Sequence, residues 1–383
     1  ILGGWLIDNA HWLGRPSWTW IFLINLPIGI IALVYASLVL PKDHTEPSES
    51  IDVIGLLLMS PGLAAFLYGV SSIPDEGTFM ATKVLGPMAG GAILIAVFGW
   101  WSMKPKHPLL DLRLLANRQF SVAALTMFLF ATAFFGGLLL VPTYFQQVRG
   151  EDTFSAGLLM APQGLGALLT MPVAGALIDR YPVGRIVPLG IALITGAMFA
   201  LTQITSTSSY WGFIIPVLFV MGLGMGATMM PLMTSSLKAL TAHQVARGST
   251  LLNITQQVAS SFGVAIASVL LTRGFDERPV IGQAAAFGEA TKEVKDPSKI
   301  EQILGRFPEV ADIMARVGDP KEFATVLQST VRHEMAEAFA GTYWVSAFLC
   351  LATLVVALFL PRKKEESHML DEEPEDSPPV LMH

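Results

Sequence analysis

Three side-chain amides, Asn253, Gln256 and Gln257, stand in a stretch free of Asp, Glu, Lys, Arg and His that runs from residue 248 to 272. Amides in so apolar a stretch hydrogen-bond either a bound solute or a neighbouring helix, the latter for about 0.6 kcal/mol each. A second set is aromatic. Phe128, Phe134 and Phe135, with Phe130 and Met127, suit the wall of an apolar cavity for lipophilic cations, or plain packing and lipid contact. Proton exchange would need a carboxylate at mid-depth in an apolar run. Asp8, Asp52 and Asp179 all fall at the ends of such runs, and only Tyr and Cys, with high ordinary pKa values, remain inside them. Cys350 has no second cysteine to pair with, so it reads as a helix-packing residue or, against that, a reactive thiol. The sequence has no phosphate-binding Gly-x-x-x-x-Gly-Lys-Ser/Thr loop, no His/Cys spacing for a metal and no nucleophile beside a base. An enzyme or an ATP-driven pump is therefore not expected, nor a bound cofactor or metal.

The elements that must position these residues are membrane helices. Residues 186–237 run for 52 positions without a charged residue or histidine, and shorter runs of this kind recur along the chain. About 20 apolar residues cross a bilayer, and a central Lys, Arg or Asp costs about 2.5–3.5 kcal/mol. Hydrophobic residues at 52 %, charged residues at 14 % and a mean hydropathy of +0.56 exclude an ordinary soluble domain. No basic patch suggests nucleic acid. Spans are expected near 18–40, 53–74, 84–103, 119–145, 154–178, 186–204, 212–237, 248–271 and 340–361. The 52-residue run must hold two of them, turning at residues 205–209 (Thr-Ser-Thr-Ser-Ser). The opening segment before Asp8 is too short to cross and reads as the end of a span that begins upstream. Trp5, Trp12, Trp18, Trp20, Trp100 and Trp101 fall near span ends, as an interfacial belt would.

Lys and Arg in short loops set the orientation. With the C-terminal tail inside, 12 fall in cytoplasmic segments and 3 outside, and the remaining 9 lie in the long segment 273–337, where that rule does not apply. The tail is thus expected in the cytoplasm, and segment 273–337 outside it. That segment carries apolar residues at helical spacing (Ile300, Ile303, Leu304 and Phe307, then Phe323, Leu327, Val331, Met335 and Phe339). Two or three amphipathic helices are expected there, the last running into the final span behind an Asp319-Pro320 start. Such a cap either covers the bundle or serves a partner or a gate. Residues 362–383 read as a disordered acidic cytoplasmic tail.

Five motifs in order resemble one family. Residues 2–8 (Leu-Gly3-Gly4-Trp-Leu-Ile-Asp), followed by Trp18 to Gly29 with Asn25 and Pro27, are similar to the end of the antiporter motif and the next helix of fourteen-span drug exporters. The family is the major facilitator superfamily, EmrB/QacA type. Residues 141–150 with Gln146, followed by residues 155–157 (Ser-Ala-Gly), resemble its ninth-to-tenth helix connection. Residues 172–180, with Gly175, Asp179 and Arg180, resemble its cytoplasmic Gly-x-Leu-x-Asp-Arg motif. Residues 222–231 and 248–263 resemble its twelfth and thirteenth helices.

The resemblance implies an all-α polytopic bundle in which residues 1–40 end an otherwise missing N-terminal half. Residues 41–118 would hold the additional helix pair and a linker, and 119–361 a complete six-helix half. It implies efflux of a lipophilic or cationic drug from a bacterial cell membrane, driven by the proton gradient and completed by the missing half. The coupling carboxylate would then lie in that half. An exporter of an endogenous lipid or metabolite, or a fragment that transports nothing, stays open. Asp179, Arg180 and Arg185 would form a cytoplasmic gate, although the longer Tyr-Pro-Val-Gly turn departs from the family, and a simple positive-inside loop accounts for the arginines too.

Overall fold

Within lipid a backbone can satisfy its N–H and C=O groups only by bonding to itself, and the apolar runs of this chain accordingly form helices. The computed structural model describes residues 2–9, 16, 19–39, 52–76, 80–104, 110–178, 180–238, 240, 242–292 and 297–362, and among them there are helices and turns but no strand. Nine helical segments among the described residues are long and apolar enough to cross a membrane, which makes the chain a multi-pass membrane protein.

In chain order, α1 (Leu2–Asn9), α2 (Thr19–Leu23) and α3 (Asn25–Val39) precede a hairpin of α4 (Val53–Ser71), the short α5 (Ile73–Glu76) and α6 (Thr82–Ser102). A 3-10 turn at Leu112–Ala116 leads into α7 (Arg118–Gln147), α8 (Thr153–Leu159), α9 (Ala161–Ile178) and α10 (Val183–Leu201). A wide π-turn at Tyr210–Ile214 opens α11 (Ile215–Lys238), and α12 (Ala242–Asp276) follows. Last come α13 (Pro279–Thr291), α14 (Pro297–Leu304), α15 (Pro308–Val317) and α16 (Pro320–Ala357). Two expected spans are interrupted, at Ile24 and at Met160. Pro27 and Pro162 lie in the first turns of α3 and α9, where a proline needs no N–H partner but clashes with the carbonyl four residues back.

Close approach of small residues holds the bundle together. α11 packs on α9 and α10, and α7 on α12 and α16. A Cβ on Gly136 would come within 2.7 Å of the Gly263 carbonyl oxygen, and one on Gly190 within 2.9 Å of that of Gly224. On α11, a Cβ at Gly222 would overlap the Gln163 carbonyl, and one at Gly226 would lie 2.8 Å from that of Ala167. Backbones this close gain dispersion that lipid contact would not supply. Buried threonine hydroxyls bond within their own helices, as Thr126 does to the Val122 carbonyl at 2.7 Å and Thr228 to that of Gly224 at 2.7 Å.

The α4–α6 hairpin docks on α12. Phe66 meets Phe262 at 5.5 Å between ring centroids, and Val70, Ile73 and Val84 are buried with Ala265 and Val269. Asp52 Oδ1 accepts from the Gly55 N–H at 2.8 Å and from Trp101 Nε1 at 3.0 Å, pinning the start of α4 to the end of α6. Trp101, which the sequence places in an interfacial belt, thus also makes a specific bond. The segment expected as two or three amphipathic helices contains α13, α14 and α15 together with the first turns of α16. Gly318, at φ +72°, ends α15 just before Pro320 opens α16. Arg278 joins α12 to α16, with Nε 3.2 Å from Glu334 and Nη2 3.7 Å from Glu337.

Candidate functional site

The face of α12 opposite α7 is open. Leu252, Ala259 and Gly263 are buried on one side, while Ala246, Thr250, Asn253 and Gln257 are exposed at helical spacing on another. Thr250 bonds to the Ala246 carbonyl at 2.9 Å, and the Ser260 and Ser261 hydroxyls bond to that of Gln257 at 2.9 and 3.0 Å. The hydroxyls are therefore satisfied by their own helix. The amides of Asn253, Gln257 and the half-buried Gln256 have no side-chain partner among the described residues. Unpaired amides facing hydrocarbon are costly, so this face has the chemistry of a wet cavity wall.

The aromatic candidates divide. Phe134 is fully buried, stacked on Phe130 at 5.3 Å and edge-on to Phe135 at 5.6 Å, so it packs the core. Phe128 and Phe135 are half-buried, and Gln146 is exposed at the end of α7. The structure does not gather these residues and the amides into one enclosed site within this chain.

The motif residues lie at two ends of the bundle. Gly4 is buried where α1 meets α8, and a Cβ there would come within 2.8 Å of the Thr153 carbonyl oxygen, whereas Gly3 faces open space. Asn25 Nδ2 donates to the Ile21 carbonyl at 3.3 Å across the α2–α3 break, beside the exposed Pro27. At the other end Gly175 has open space around it, and Arg180 and Arg185 are exposed with no side-chain partner among the described residues. Asp179 lies outside the described residues. Between these arginines Gly184 packs against the residues that follow α16. Its N–H donates to the Pro361 carbonyl at 3.1 Å, and a Cβ would come within 2.6 Å of the Leu360 carbonyl oxygen. Sequence reasoning saw only a lengthened turn there.

It also missed a polar knot at the α7–α8 connection. Gly150, at φ +71°, turns the chain so that the Glu151 N–H donates to the Phe145 carbonyl at 3.0 Å. Arg149 then donates from Nη1 to the Ser206 carbonyl at 2.5 Å and from Nε to the Tyr210 hydroxyl at 3.0 Å. Tyr210 donates in turn to Glu151 Oε1 at 2.7 Å, and the Tyr144 hydroxyl to the Thr205 carbonyl at 2.6 Å. Partial burial works against the Arg149 charge, but hydrogen bonds and attraction from Tyr210 and Tyr144 outweigh it and raise the guanidinium's pKa above its ordinary value. The polar turn at 205–209 is thus clamped to α7.

Comparison with known proteins bears on the whole assembly. The sequence pattern of the Major Facilitator Superfamily matches residues 1–264. The chain is 39 % identical over 378 residues to a "Multidrug resistance protein B homolog" of Mycobacterium tuberculosis (strain ATCC 25618 / H37Rv), covering 96 % of this chain and 64 % of the relative. It is 29 % identical to the "Lincomycin resistance protein LmrB" of Listeria monocytogenes, over 71 % of this chain and 56 % of the relative. To the "Multidrug export protein EmrB" of Escherichia coli (strain K12) it is 26 % identical, over 71 % of this chain and 52 % of the relative. The chain therefore spans about half to two thirds of the length of these relatives. With apolar helices packed through glycines, five motifs in order and a match over residues 1–264, the chain belongs to the Major Facilitator Superfamily.

Proposed function

We propose that this chain works within a secondary multidrug efflux transporter that exchanges protons for lipophilic or cationic compounds at a bacterial cell membrane. The observation that carries the reading is the open amide face of α12, in a family whose relatives here are named for multidrug resistance and export. A second helical bundle of the same transporter would close over that face, placing Asn253, Gln256 and Gln257 in a cavity near the midplane. Rocking of the halves would expose the cavity to each side in turn. Phe128 and Phe135 would supply its apolar side, and Phe134 would support them from the core. Gly4 on the Thr153–Phe154 backbone would be the contact that tightens and loosens at one mouth. Asp179, Arg180 and Arg185 would border the other. The proton gradient is the proposed energy source, with the coupling carboxylate outside these residues.

Ethidium efflux from cells expressing the transporter tests this reading. The initial rate should fall to background with an uncoupler. Replacing Asn253 and Gln257 together by leucine should lower it roughly thirtyfold, as loss of two hydrogen bonds of about 1 kcal/mol each implies. Efflux indifferent to the uncoupler would refute proton exchange, and a normal rate in the double variant would refute the amide site.

The proposed orientation has its own check. With Cys350, the one cysteine of this sequence, buried and any other native cysteine replaced by serine, Ser329→Cys in the cap should react with an impermeant maleimide on intact cells. Arg185→Cys should react only after permeabilisation. The reverse pattern would invert the topology.

A further inference from the structure

The cap formed by α13 to α16 holds an apolar groove that the efflux reading does not use. α13 and α16 touch through Phe287 and Phe323, whose ring centroids lie 6.1 Å apart, and leave a groove along that contact. Here Ala284, Phe287 and Gly288 of α13 stand across from Leu327, Val331 and Met335 of α16 around a cavity of about 600 Å³. That volume is within the range of small-molecule sites, which combine mostly apolar walls with a few convergent polar groups. Of the polar groups on its wall, Thr291 is satisfied by the Phe287 carbonyl at 2.8 Å. Arg332, with Gln328 and Gln147, borders the groove, and Arg332 also borders an adjoining polar cavity of about 400 Å³ lined by Arg149, Glu151, Ser206 and Tyr210. The Arg332 guanidinium reaches over Gly150, where a Cβ would lie 3.5 Å from Nη2. It has no hydrogen-bond or ion-pair partner among the described residues.

The two guanidinium groups in the adjoining cavity face one carboxylate, Glu151, which already accepts from Tyr210 at 2.7 Å. Arg149 is engaged by Ser206 and Tyr210, which leaves Arg332 as the cation able to take an anionic head. A cationic drug would meet the wrong charge at this mouth. An apolar trough ending on an unpaired guanidinium is complementary to an amphiphile with an anionic head and an apolar tail. We infer that the cap binds a long-chain fatty acid, its carboxylate on Arg332 and its acyl chain between α13 and α16. The inference stands apart from the efflux reading, because the groove lies in the cap and away from the α12 amides.

A photoactivatable diazirine palmitate, crosslinked to the full chain in phosphatidylcholine nanodiscs and mapped by peptide mass spectrometry, tests it. Labelling is expected within residues 281–291 and 323–335, displaced by excess palmitate but not by the same concentration of hexadecanol. Arg332→Gln should reduce that labelling about tenfold or more, the scale of one charge-assisted hydrogen bond. Ala285→Trp, which fills the groove, should abolish it, while Arg316→Gln, an exposed arginine of α15, should leave it unchanged. A variant that misfolds would lose labelling everywhere, so labelling of peptides in the spans serves as the internal standard. Labelling confined to the spans, equal displacement by hexadecanol, or full cap labelling in Arg332→Gln and Ala285→Trp would each overturn the assignment.

Discussion

Gly222→Val is expected to lower the melting temperature of the purified protein by roughly 4 °C, the equivalent of about 3 kcal/mol lost to overpacking in a chain of this length. The glycine lies where α11 crosses α9, and any Cβ would overlap the carbonyl oxygen of Gln163, a backbone atom with no rotamer to escape into. The crossing would have to separate. Gly166, Gly222 and Gly226 repeat such contacts along the same helix pair, so one wedge would weaken the whole seam. Gly164→Ala, at a neighbouring glycine with nothing within 4 Å of its Cβ position, should leave the melting temperature unchanged. Equal behaviour of the two variants in a thermal-shift series would show that the glycine crossing does not hold the bundle.

Arg149→Gln should destabilise the protein by about 3 kcal/mol, since hydrogen bonds to charged groups contribute about 1.5–3 kcal/mol and the clamp has two. Removing the guanidinium also leaves the Ser206 carbonyl and the Tyr210 hydroxyl to find water. Tyr210→Phe, which keeps the ring but loses both the bond to Glu151 and the one from Arg149, should also cost about 3 kcal/mol. The pH dependence has a definite sign. Arg149 has a raised pKa, so its contribution is complete below the unfolded-state value and fades only as pH climbs through the still higher folded value. The difference in melting temperature between the parent and Arg149→Gln should therefore stay level from about pH 5 to 9. A difference that disappears anywhere in that window would mean that another group carries the clamp.

The helices were legible because lipid leaves a chain little choice. Where charges stop for about 20 residues a span follows, and the start of α16 at Asp319-Pro320 could be read from its cap and spacing. Side-chain direction was not legible. A span apolar on all sides gives no moment to say which face meets protein, so Phe134 and Phe128 looked alike although the first is buried and the second half-exposed. The amides of α12 were visible as residue types, but that their face stands open depends on where α7 packs. The Arg149 clamp was hidden for a different reason. Its acceptors include backbone carbonyls at Thr205 and Ser206, some 57 to 61 positions along the chain, and a carbonyl leaves no mark in a sequence. Gly184 and Gly222 are equally silent, since a glycine does not announce which neighbour it admits.

α16 runs unbroken for 38 residues from the cap into the membrane bundle, a rod of roughly 57 Å. A stiff shaft shared by two compartments transmits angle. If its lower half leans by some 10° with the bundle, its far tip sweeps about 10 Å, and the wall carrying Leu327, Val331 and Arg332 travels with it. The trough between α13 and α16 would then widen and narrow with any tilt of the bundle, making it a mechanical follower of motion deep in the bilayer.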